Sequence, residues 1–179
     1  MRIAPAEPPF ASEIQARLDR LMPSGVPPLV LFTTLARDQR LFAKLMAGGL
    51  LDAGHLTLRQ REIVIDRVTA LCGSEYEWGV HIAFFAKRAG FDQAQVASTA
   101  KGGKDDPVWC DSERALLAAC DQIHHTCDID DATWQDLRQH FTDEALLEIL
   151  MLAGYYRTIS YITNALRLPL EAYAARFPS

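Results

Sequence analysis

Leu58-Arg59-Gln60-Arg61-Glu62-Ile63-Val64-Ile65, with Cys72-Gly73-Ser74-Glu75-Tyr76-Glu77-Trp78-Gly79-Val80-His81 a few residues later, decides how this chain folds. Thr57 to Gln60 has the form of a capping box, a hydroxyl followed three residues on by a side-chain amide, and opens a helix lasting to about Cys72. Ser74 to Glu77 has the same form and predicts a second helix, closed by Gly90. Three or four residues between them are enough only for an antiparallel hairpin over Thr57–Ala89. Working outward, Ser12–Leu21 reads as a short amphipathic helix. Leu29–Leu51 reads as two helices broken near Arg37-Asp38, and Asp92 starts a short helix to about Thr99. Helices follow near 111–126 and 131–140. Thr142-Asp143-Glu144 then starts a long one that Pro169 ends by about Arg167. Apolar residues cover so much of that last helix that it is expected to be central. No alternating strand pattern occurs. The fold class is all-α, with roughly seven to nine helices.

The chain has 179 residues, 49% of them hydrophobic and 23% charged, as in an ordinary globular protein. Its net charge of −5, with no run of Lys and Arg, argues against nucleic acid as a partner. The longest apolar run, Ile149–Tyr156, is too short for a bilayer span, and the first residues lack the apolar core of a secretion signal. A cytoplasmic setting without membrane partners is expected. Cysteines at 72, 110, 120 and 127 form no Cys-x-x-Cys pair. Cys120, His124, His125 and Cys127 have the look of metal ligands. No second ligand pair stands at zinc-site spacing, so no metal is expected. Lys101-Gly102-Gly103-Lys104 lacks the end of a phosphate loop and reads as an exposed turn.

The candidate chemistry is therefore Glu62, Glu77 and His81. Glu62 lies at the edge of its helix's apolar stripe, and His81 shares a face with Glu77 four residues earlier. A hairpin would let a carboxylate on one helix reach an imidazole on the other, making a proton-transfer pair in an apolar setting. Structural readings compete. Glu77 closes the second capping box, His81 could be a hydrogen-bonded core residue, and Glu62 could pair with Arg59 or Arg67.

Leu58–Ile65 and Cys72–His81, with Glu-Trp-x-x-His after an Arg-Glu helix, resemble the carboxymuconolactone decarboxylase family, which includes the alkylhydroperoxidase D-like proteins. The similarity extends from Pro28 to about Asn164. It implies an alkylhydroperoxidase D-like domain over 28–168, an N-terminal extension over 1–27 and a C-terminal tail over 169–179. In the peroxidase branch a glutamate is followed by Cys-x-x-Cys and a histidine. The glutamate and histidine fall here on Glu62 and His81, whereas the two cysteine positions fall on Ser74 and Glu77. Those two residues cannot form a reducible disulfide.

The resemblance thus points to the decarboxylase branch, a lyase working without cofactor on a small lactone or carboxylic acid. His81 would be its acid/base, Glu62 the orienter or relay, and Glu77 the group setting the site's charge. Tyr76, Trp78, Ser74 and Phe85 would bind substrate. Family members assemble as trimers or hexamers, so a homo-oligomer is expected. Two alternatives are carried forward: peroxide reduction (peroxiredoxin activity) through a single thiol, Cys72, and a non-catalytic oligomer that binds small molecules.

Overall fold

The computed structural model describes residues 1–179, and nine helices account for its regular structure. These are α1 (Ser12–Leu21), α2 (Val30–Leu35), α3 (Gln39–Gly48), α4 (Leu58–Leu71), α5 (Glu75–Phe85), α6 (Gln93–Lys101), α7 (Asp111–Thr126), α8 (Asp131–His140) and α9 (Asp143–Leu166). Several starts are fixed by side chains that answer orphan backbone groups. Thr57 and Gln60 make the reciprocal box expected of them, Asp92 and Gln95 make another, and Thr142 accepts from the Ala145 amide.

The second box predicted on α5 does not form. Ser74 makes no capping bond; its hydroxyl instead meets Thr163 Oγ1 of α9 at 2.8 Å. Glu77 is thereby free of any capping role. Past Phe85 the chain tightens into turns that Gly90, at φ 72°, closes in a Schellman pair, with Phe91 N–H donating to Ala86 O and Gly90 N–H to Lys87 O.

The centre of the fold is α4, not the expected α9. It packs against α5, α6, α7 and α9, and every residue from Glu62 to Thr69 is buried. Burying charge demands partners, and Arg67 has three: Asp121 at 2.6 Å and the carbonyls of Thr99 and Gly102. α9 packs against α4 and α5 through Leu146, Ile149, Leu152, Ala153 and Tyr156. Its other side is exposed, including Leu147 (63%), Met151 (65%) and Tyr161 (59%). The surplus of apolar residues on α9 is therefore spent outward as well as inward. No helix is long and apolar enough to cross a membrane.

α1 packs on α2 and α3 through Ile14, Leu18, Ala36 and Phe42. The segment after α9 folds back over α5. Ala175 N–H donates to Gly79 O, Phe177 N–H to Glu75, and the Phe177 ring lies 5.1 Å from that of Trp78. Residue 79 has to be glycine for this crossing, because a Cβ there would meet Ala175 O at 2.2 Å.

Candidate active site

The hairpin brings Glu62 and His81 into direct contact. His81 Nδ1–H donates to Glu62 Oε2 at 2.8 Å, and both side chains are almost fully buried. The other oxygen of Glu62 accepts from Arg61, its neighbour in sequence, at 3.1 Å. The expected partners are committed elsewhere: Arg59 to Glu113 and Arg67 to Asp121. On the far side of the ring His81 Nε2 faces Glu77 Oε1 at 3.5 Å, one helical turn away. Tyr156 of α9 meets the imidazole edge-on at 5.0 Å, and Phe85 lies 5.2 Å away.

An imidazole between two carboxylates is a held cation. Burial by itself would lower the pKa of His81, but the Glu62 and Glu77 carboxylates outweigh it and push it up to about 10. At neutral pH the ring carries its proton. One turn below Glu62 on α4, Asp66 is fully buried with Oδ1 unpartnered. Burial first, then the nearby Glu62, hold its carboxyl well above the usual range. Its place in the sequence, four residues after Glu62 on the same face, was a signal the sequence reading did not use.

Glu77, His81 and Phe85 line a cavity of about 490 Å³ closed by residues from α2, α3 and α9. Leu31, Phe32, Met46, Tyr155 and Tyr156 make its walls largely apolar, and Arg20 and Arg88 stand exposed among its lining. Glu77 is 5% exposed, yet its Oε2 has no partner. No local pattern marks Tyr155 and Tyr156, which lie in the apolar run of α9. Arg88 lies in the turns beyond α5, where counting helical faces from His81 does not reach.

Three residues expected to bind substrate are not among the cavity's lining residues. The Tyr76 hydroxyl donates to Glu171 and accepts from Leu31 N–H at 3.1 Å, so it ties the C-terminal segment to α2. Burial and Glu171 raise its pKa far beyond physiological values. Trp78 donates through Nε1 to Thr99 Oγ1 at 3.0 Å and anchors α6. Ser74 is bound to Thr163. Cys72 lies at the opposite end of α4 from Glu62, about 15 Å away at 1.5 Å per residue. Burial raises its thiol pKa, although Arg157 and Ser160 pull the other way, and Sγ is 3.8 Å from His124 Nδ1. Cys120 is buried and Cys127 exposed, and no three His, Cys, Asp or Glu side chains gather as a metal-binding group.

Residues 39–121, which contain the whole hairpin, match the Carboxymuconolactone decarboxylase family. This central segment is a domain of that family. Among solved structures, the chain is similar to an uncharacterized peroxidase-related protein from Silicibacter sp. TM1040, at 17% identity and TM-score 0.81, covering 98% of this chain and 94% of that one. It is also similar to the alkylhydroperoxidase AhpD core protein from Ralstonia eutropha JMP134, at 19% identity and TM-score 0.76, covering 96% and 94%. A third likeness is to a cysteine-to-alanine variant of the debrominase Bmp8 in complex with 2,3,4-tribromopyrrole, at 15% identity and TM-score 0.72, covering 97% and 93%. These identities speak for the fold, which is alkylhydroperoxidase D-like around the family domain. Among curated proteins none matches by sequence.

Proposed function

We propose that this member of the carboxymuconolactone decarboxylase family is a cofactor-free acid/base enzyme that decarboxylates a small lactone or carboxylic acid. The observation carrying the proposal is a protonated His81, held between Glu62 and Glu77 at the wall of an apolar cavity. Loss of carbon dioxide from a carboxylate leaves an electron pair on carbon, delocalised into an adjacent unsaturated or carbonyl system. That pair then needs one proton. His81 supplies it, Glu62 fixes the ring and holds the proton balance through Nδ1, and solvent restores the imidazolium. The net change is one carboxylate and one proton converted to carbon dioxide and a C–H bond. Apolar walls favour the charge-dispersed transition state over the localised carboxylate.

Homo-oligomerisation is part of the same proposal. It is supported by the exposed apolar residues of α9 and by the neighbouring groove that α9 forms with α3, lined by Leu41, Leu45, Tyr161 and Ile162.

The test is carbon dioxide release across a panel of lactone acids and unsaturated or keto acids. Wild-type protein is expected to turn over at least one of them and His81→Ala none. Binding without turnover across the panel would favour a non-catalytic binding protein instead. Stoichiometric loss of thiol on adding peroxide would favour the Cys72 reading.

A further inference from the structure

The cavity has an unanswered acceptor inside and, at its mouth, cations without a carboxylate partner. Inside, Glu77 Oε2 is buried without a donor, an unfavourable state that a bound donor group would relieve. At the mouth, Arg20 of α1 and Arg88 beyond α5 are exposed lining residues, and neither guanidinium is held by a carboxylate. The Phe85 ring adjoins both regions: its centroid lies 5.2 Å from that of the His81 ring and 5.3 Å from Arg88 Cζ. Between the acceptor's neighbour His81 and the Arg88 cation the wall of the cavity thus includes the Phe85 ring.

We infer that the cavity takes an amphipathic monoanion: a flat apolar body with an acidic group at one end and a hydroxyl or N–H donor at the other. The acidic group lies at the mouth against Arg88 and Arg20. The body stacks along Phe85, and the donor enters first and meets Glu77 Oε2. This rests on the reading of the cavity as the substrate site and adds to it the polarity of the ligand. Guanidinium groups suit a planar carboxylate because their paired N–H donors match its two oxygens. The bound direction also places the interior end of the ligand, rather than its acid end, beside His81. A proton from His81 would then be delivered at a carbon remote from the departing carboxylate, through conjugation.

Three probes separate the parts by calorimetry: 4-hydroxyphenylacetate, phenylacetate, which lacks the donor, and 4-hydroxyphenethyl alcohol, which lacks the charge. The hydroxy acid is expected to bind about tenfold more tightly than either of the others. In Arg20→Gln/Arg88→Gln, whose substitutions are on the surface, the advantage of acid over alcohol disappears while that of the hydroxyl remains. In Glu77→Gln the advantage of the hydroxyl shrinks and that of the acid persists. Equal binding of acid and alcohol by wild-type protein, an acid preference unchanged in the double variant, or no binding of any probe at millimolar concentration would each overturn the inference. The predicted probe pattern without carbon dioxide release from any acid of the wider panel would remove the decarboxylase reading and uphold this one. Carbon dioxide release from an acid of that panel together with equal binding of the acid and alcohol probes would do the reverse.

Discussion

Glu77→Gln isolates what the second carboxylate does to His81. The substitution keeps shape and hydrogen-bonding capacity and removes one negative charge 3.5 Å from Nε2. Two point charges at that distance interact by about 5 kcal/mol at an effective dielectric of about 20. Spreading the charge over two oxygens and two nitrogens, with the cavity on one side, leaves about 2–3 kcal/mol, equivalent to about two pH units. The pKa of His81 should therefore fall from about 10 to about 8. NMR titration of the ring reads this directly and needs no substrate. The same shift has a stability signature. A histidine whose folded pKa lies above its free value of 6.5 stabilises fully below that value and loses the contribution as pH rises through 10. Wild-type protein should thus weaken over that window, and Glu77→Gln should show a smaller loss that is complete at lower pH. Ser74 makes no cap and Glu77 has no part in one, so no capping loss is added, and the melting temperature of Glu77→Gln should fall relative to wild type most near pH 6, where the lost contribution is fully present, and least above pH 10. Identical titration curves for the two proteins would refute the reasoning and reduce Glu77 to a packed side chain.

Gly79→Ala should gain about 1 kcal/mol of helix propensity yet destabilise overall by about 3 kcal/mol, because the new Cβ evicts the C-terminal segment with two backbone-donated hydrogen bonds and two aromatic pairs. Thermal unfolding checks this, and a raised melting temperature would contradict the crossing. Asp66→Asn should stabilise the protein at neutral and alkaline pH and not at pH 4. A carboxyl held well above 3.8 in the fold withdraws stability as pH climbs, and Asn cannot ionise. Denaturant melts at several pH values measure it, and a variant equally weak throughout would overturn it. Cys72→Ala should leave turnover unchanged, since the thiol stands about ten residues along α4 from Glu62. A loss of peroxide reduction in that variant would promote the thiol reading.

The helices were legible wherever their ends are written locally. Thr57 with Gln60, Asp92 with Gln95, and Thr142 carry their own caps, so spacing alone placed them. Ser74 misled because its hydroxyl answers Thr163, 89 residues away, and no nearby residue reports that contact. The meeting of Glu62 and His81 followed from face arithmetic and a short connection, both local facts. Tyr76 and Trp78 sit among the right residues in sequence, but an aromatic beside a site reads the same whether it faces a ligand or a buried partner. Here the partners, Glu171 and Thr99, come from other parts of the chain. The central place of α4 was hidden by its charges. Glu62 and Arg67 look like surface residues until their partners on α5 and α7 are known.

The walls of the cavity divide its labour by origin. The groups that hold a proton come from the hairpin inside residues 39–121, whereas Leu31, Phe32, Tyr155 and Tyr156 come from outside that segment. On the proposed reading, the segment that matches the family carries the proton-handling groups and the flanking helices shape the chamber in which they act. Substitutions in α2 and α9 can reshape the chamber without disturbing the Glu62–His81 contact. Two relatives could share every proton-handling residue and have no substrate in common, so sorting members by chemistry and sorting them by diet would draw different trees.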